Sequence, residues 1–174
     1  MTRSSVIAPF RTERHDHEAC LRDALARAED ICLRKGLRLT ELRRRVLELV
    51  WSGHEPVRAY DLLDQLRGER RGAAPPTVYR ALDFLQEHGF VHKIESLNAY
   101  VGCAEPTDRH GGQFLICGRC KAVAELDDPA IYETVRRRAE ASGFTVQGQV
   151  IEVMGLCPRC AVTPDAPLAH NHEH

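Results

Sequence analysis

The chain has 174 residues, of which 43% are hydrophobic and 28% charged, and its formal net charge is −1. That length suits one domain or two small ones, and no apolar run is long enough to span a bilayer. Met1 to Cys20 carries Arg3, Arg11, Glu13, Arg14, Asp16 and Glu18 and lacks the continuous apolar stretch of a signal peptide. The expectation is a cytoplasmic protein whose seven cysteines serve as metal ligands and thiols rather than as a disulfide framework.

The first half reads as short helices. Leu21, Leu25, Ala28 and Cys32 share one helical stripe that ends near Gly36. Thr40 is placed to cap a second helix, on which Leu42, Val46, Leu49 and Val50 share a face before Gly53. Ala59, Leu62, Leu63 and Leu66 mark a third, expected to stop at Gly68, with a polar loop to Pro76. Pro75 and Pro76 open a fourth, with Val78, Ala81, Leu82 and Leu85 inward and Gly89 closing it. Phe90–Ile94 and Ala99–Cys103 then alternate around Ser96-Leu97-Asn98, the pattern of a β-hairpin.

Helices followed by a hairpin is the order of a winged helix-turn-helix, in which the last helix before the hairpin enters the major groove. On that helix Thr77, Tyr79, Arg80 and Asp83 are left off the core stripe. Thr77 could bond a phosphate at the helix N-terminus, and Arg80 has the forked geometry that reads guanine O6 and N7. Arg34, Lys35, Arg38, Arg43, Arg44 and Arg45 crowd one stretch opposed locally by Glu41, and Arg58, Arg67, Arg70 and Arg71 follow. A solvated helix face and a phosphate-binding surface both remain open for these charges. Asp64 and Arg67 read as an i,i+3 pair, with a contact to a neighbouring dimer on DNA as the alternative.

In the second half, Gln113–Ile116 and Ala122–Leu126 are short apolar runs. Pro129 starts a helix with Ile131, Tyr132, Val135 and Ala139 expected inward and Gly143 at its end. Phe144–Met154 reads as one long strand, whose unpaired edge would be met by pairing with a second subunit. Cys117/Cys120 and Cys157/Cys160 form two Cys-x-x-Cys pairs separated by residues 121–156. Thiolates spaced in this way on two turns close a tetrahedron around zinc; two disulfides or unrelated buried thiols are the competing readings.

The stretch Pro75-Pro76-Thr-Val-Tyr-Arg-Ala-Leu-Asp-Phe-Leu-Gln-Glu-His-Gly-Phe-Val-His-Lys-Ile-Glu-Ser resembles the recognition helix and wing of the ferric uptake regulator family. Arg38-Leu-Thr40, Ala59-Tyr-Asp-Leu-Leu63, Phe114-Leu-Ile-Cys-Gly-Arg-Cys120 and Cys157-Pro-Arg-Cys160 are similar to the same family, in one order from about residue 20 to residue 160. The likeness is greatest to its zinc-sensing branch. It implies an α+β protein, with an N-terminal winged helix-turn-helix domain followed by a small α/β dimerisation domain stapled by zinc. The expected division is a flexible extension over 1–18, the DNA-binding domain over 19–102, a hinge over 103–112, the dimerisation domain over 113–161 and a flexible His-containing tail over 162–174.

The resemblance further implies a homodimeric repressor of zinc-uptake genes that binds palindromic double-stranded operator DNA. It implies no membrane association and no small-molecule substrate. Tyr60 and Arg80 match base-contacting positions in relatives. A closed four-sulfur site is structural, so sensing requires another; His92, Cys103, His110 and Glu125 match the regulatory ligands of the zinc-sensing branch, giving two zinc ions per chain. Iron- and peroxide-sensing relatives carry His-His-Asp-His where this chain has Gly111-Gly112-Gln113-Phe114, which weakens the iron reading; a family member that senses iron, manganese or peroxide is the alternative. A zinc or redox enzyme is the remaining alternative; a catalytic zinc needs an open coordination position, and no His-Glu-x-x-His motif occurs. The chain is therefore read as a non-enzyme.

Overall fold

The computed structural model describes residues 6–8, 10, 17–53, 55–69, 74–106 and 112–162. They fall into two compact units, one within residues 12–109 and one combining residues 110–174 with 1–11.

The first unit holds helices α1 (His17–Arg34), α2 (Glu41–Trp51), α3 (Ala59–Glu69) and α4 (Pro75–Glu87), then strands β2 (Val91–Ile94) and β3 (Ala99–Gly102). Leu25, Ala28 and Cys32 of α1 are buried in one core with Val46, Leu47 and Val50, with Leu62 and Leu66, and with Val78, Leu82 and Leu85. Each fully buried aliphatic side chain in such a core contributes about 1.5–3 kcal/mol. Thr40 caps α2 by accepting from the Arg43 N–H at 3.4 Å, and Gly36 takes the left-handed φ of +64° that stops α1. Two prolines occupy the first positions of α4, after Ala74, where no N–H is needed. The β2–β3 pair is antiparallel, with His92 opposite Val101. A single 3-10 turn, Glu95–Leu97, and a left-handed Asn98 reverse the chain between them. An isolated bridge ties Val57 to Tyr100, so the wing is anchored on the segment before α3.

The second unit is a four-stranded sheet of β1 (Val6–Ala8), β4 (Gln113–Cys117), β5 (Val123–Leu126) and β6 (Ile151–Gly155), in the order β1-β5-β4-β6. Helix α5 (Pro129–Ala141) links β5 to β6, and α6 (Pro158–Val162) follows. Asp128 caps α5 by accepting from the Ala130 N–H at 2.9 Å.

Four expectations change. The stretch expected as a flexible N-terminal extension contributes a strand, β1, that pairs antiparallel with β5, and α1 already begins at His17. The long strand expected over Phe144–Met154 is reduced to Ile151–Gly155, because β4 offers partners only from Gln113 to Cys117. Helix α3 continues through Gly68 to Glu69. On α5, Ile131 and Tyr132 are half-buried but Val135 is exposed. The rest of the expected hinge and tail, residues 107–111 and 163–174, lies outside the described residues.

Candidate metal centres and nucleic-acid interface

The sulfur cluster follows directly from the sheet. β4 and β6 run parallel, with Cys117 in register with Gly155, so both strands end on the same side. The turn after β4 carries Cys120; the turn after β6 carries Cys157 and leads into α6 with Cys160. Gly118 N–H donates to the Gly155 carbonyl at 2.8 Å, and Lys121 N–H closes the first turn on the Cys117 carbonyl at 3.0 Å. Parallel pairing thus brings together two motifs that residues 121–156 separate in sequence. One sulfur from each of Cys117, Cys120, Cys157 and Cys160 lies within 4.8 Å of the others, and the Cys120 and Cys157 sulfurs are 3.7 Å apart. All seven cysteines of the chain are free thiols, so the disulfide reading is not the one this geometry takes.

Electrostatics make the same point. Burial pushes the Cys117 thiol up, but backbone N–H groups of Cys120, Cys157 and Arg119 outweigh it and bring it down to about 6. Cys160 moves the other way, to about 12, through burial and then the neighbouring sulfurs of Cys157, Cys120 and Cys117. Four packed sulfurs cannot all ionise against one another; a divalent cation at their centre removes that conflict. The donor set fits tetrahedral zinc.

Of the second expected set, two members lie on the wing. His92 is in the middle of β2 and Cys103 directly follows β3, buried. The Cys103 N–H donates to the Phe90 carbonyl at 3.0 Å, which continues the β2–β3 pairing by one rung. A His92 ring nitrogen and the Cys103 sulfur lie within 4.8 Å of one another. In the other unit, Glu125 is a buried carboxylate on β5, opposite Phe114 of β4. His110 lies outside the described residues. A Cβ at Gly112 would fall 2.0 Å from the Phe114 ring, so the close approach of that ring requires glycine there.

On α4, Thr77 is half-buried, while Tyr79 and Arg80 are exposed; Tyr60 on α3 is 65% exposed. Among the described residues no carboxylate pairs with Arg80. The crowded basic stretch behaves differently. Arg44 pairs with Glu29 and, at 3.2 Å, with Glu48. Arg45 is held by Glu69 and by Glu48 at 2.9 Å. The Arg43 guanidinium lies 3.5 Å over the Phe84 ring and donates to the Arg38 carbonyl at 2.6 Å. Each of these three arginines has a partner within the unit. Asp64 and Arg67 form the i,i+3 pair at 3.5 Å.

The ferric uptake regulator family profile matches residues 34–154. The chain belongs to the ferric uptake regulator family. It is 46% identical over 157 residues to the zinc uptake regulation protein of Escherichia coli (strain K12), covering 87% of this chain and 91% of that one. Among solved structures it is similar to a zinc uptake regulator complexed with zinc and DNA, with a TM-score of 0.77 and 44% identity over 84% of this chain and 98% of that one. A crystal structure of holo XcZur gives a TM-score of 0.75 and 48% identity, over 80% of this chain and 98% of that one. Family membership accounts for the order of winged-helix unit and sheet unit. Among the described residues, no helix is long and apolar enough to cross a membrane.

No sequence pattern by itself announces α6, which delivers Cys160, or the packing of Trp51 against Gly102 at the exit of the wing. A five-residue helix that overlaps Cys157-Pro-Arg-Cys160 and ends at Val162 leaves too short a pattern for periodicity to register.

Proposed function

We propose that this chain is a zinc-responsive transcriptional repressor, which binds palindromic operator DNA as a zinc-loaded dimer and represses genes for zinc uptake in the cytoplasm. One observation carries the reading: the donor pair His92 and Cys103 at the base of the wing, in a chain whose other four ligand cysteines already complete a site. A closed four-sulfur cluster cannot report zinc scarcity while it stays filled; a second, mixed site can. Cys117, Cys120, Cys157 and Cys160 would hold a permanent zinc. His92, Cys103, His110 and Glu125 would hold the exchangeable one, two per chain in all. Imidazole, thiolate and carboxylate make a borderline-soft, four-coordinate set suited to zinc.

A bound zinc supplies positive charge that draws these donors together. With the ion bound, His92 and Cys103 would fix the wing, His110 would fix the hinge, and Glu125 would tie both to the sheet unit. Held in this way, Arg80 and Tyr60 of each subunit meet half-sites at one set spacing, with Thr77 and Tyr79 toward the backbone. Zinc and operator must strengthen each other's binding by the same factor. The exposed Val153, Met154 and Leu156 on and beside the edge strand β6 support dimerisation through the sheet unit. The stretch Gly111-Gly112-Gln113-Phe114 offers no imidazole, which speaks against an iron sensor. The test is operator binding under zinc, iron(II) and manganese(II) titration. Zinc should promote binding at the lowest free concentration, and Cys103→Ser should abolish the effect; a response to iron with none to zinc would overturn the reading.

A further inference from the structure

Cys103 leaves the wing under three constraints, all inside the winged-helix unit. Its own N–H is bonded to the Phe90 carbonyl at 3.0 Å. The next carbonyl, Ala104, accepts from the Arg27 guanidinium of α1. The preceding residue, Gly102, lies against the indole of Trp51, the last residue of α2 and the one tryptophan of the chain. A Cβ at Gly102 would fall 2.2 Å from Trp51 Cε2 and 2.3 Å from Nε1. The glycine is thus required by close approach and not by an unusual backbone angle. Trp51 is buried in the same core as Leu47 and Val50, and that core continues to Val78 and Leu82 of α4.

We propose that Trp51 is a positioning residue for the metal response: seated on Gly102, its rigid ring fixes where Cys103 presents its sulfur to His92 and transmits engagement of that pair to α2. The inference rests on the reading of His92 and Cys103 as regulatory ligands. Metal–ligand distances tolerate only about 0.2 Å, so the backbone one residue from a ligand sulfur must be held closely. A flat indole against a bare Cα does this with few degrees of freedom to lose. A shift of β3 on ligand engagement presses on, or withdraws from, a ring fixed at the end of α2. The same helix packs on α4, which carries Arg80.

The experiment uses the full chain already holding one zinc equivalent, with Trp51 emission followed as a second equivalent is added. The emission changes in step with the second zinc, and Cys103→Ser removes the change. By chelator competition, Gly102→Ala weakens the second zinc by about tenfold or more; Trp51→Leu also weakens it, and Trp51→Phe, which keeps a flat ring, recovers most of that loss. A residue that serves the core alone would lower stability in Trp51→Leu and leave the affinity for the second zinc unchanged. Emission that ignores a second zinc that demonstrably binds would overturn the proposal, as would wild-type affinity in Gly102→Ala or in Trp51→Leu. If Gly102→Ala fails to fold, the wild-type emission arm still decides. If the wild type takes up no second zinc, the regulatory-site reading fails first and this inference with it.

Discussion

The winged-helix unit and the sheet unit are stabilised by different means. The first buries Leu47, Leu62, Leu66, Leu82, Leu85 and Phe90 almost completely in a continuous core. The second buries Phe114, Ile116 and Ala124, together with a cluster made of Cys117, Cys157 and Cys160 against the half-buried Cys120 and Phe10. It leaves Phe144, Val150, Val153, Met154 and Leu156 exposed. An apolar core holds the helical unit, whereas a small sheet that encloses so little of its own apolar surface gains most from a metal staple or a second subunit. Under the proposed function the sheet unit would keep its ion and the wing would exchange one, so that scarcity is signalled without unfolding the sheet unit.

The largest effect should come from breaking the staple. Structural zinc in small domains contributes an apparent ~10–16 kcal/mol at neutral pH, comparable to or larger than the whole stability of a typical domain, ~5–15 kcal/mol. Cys157→Ser, or exhaustive chelation, should therefore expose the sheet unit to proteolysis while the helical circular dichroism of residues 12–109 largely survives. A sheet unit that stays protected without metal would break the contrast. Next in size, Leu82→Ala should cost the winged-helix unit about 2–5 kcal/mol in urea unfolding and leave zinc retention by the four cysteines unchanged.

On DNA, Arg80→Ala should cost about 1–3 kcal/mol and relax sequence preference. Arg44→Ala, whose side chain is committed to Glu29 and Glu48, should weaken operator binding by less; an equal loss would return the basic stretch to the DNA surface. The smallest effect expected is Thr40→Ala, about 1 kcal/mol of winged-helix stability through the lost α2 cap, read by thermal unfolding with zinc stoichiometry as the control.

Legibility in the sequence tracked the same division. Helices α1, α2 and α4 were readable because each carries a full apolar period and a physical start or stop: Gly36, Thr40, the Pro75-Pro76 opening, Gly89. The four-sulfur cluster was readable because paired cysteine spacing is nearly a geometric statement. The sheet unit was less so. β1 has three residues and owes its existence to β5, a partner far along the chain. Phe144–Met154 alternates like one strand, but its extent is set by the length of β4, which no local pattern encodes. The basic stretch was ambiguous because Arg45 finds Glu69 only in three dimensions. The Trp51–Gly102 contact had a signal, a glycine directly before a candidate ligand cysteine, but only the fold shows what fills the space that glycine leaves.

The separation of fastening from sensing is tested most directly by counting zinc and operator binding on the same samples. Wild type and Cys103→Ser would be dialysed against a graded series of zinc buffers, with bound zinc and affinity for a palindromic operator duplex measured at each step. The account predicts that wild type retains one zinc throughout and gains DNA affinity as the second loads, while Cys103→Ser retains the first, fails to take up the second and stays weakly bound to DNA. A Cys103→Ser protein that gains operator affinity with zinc as the wild type does would contradict it.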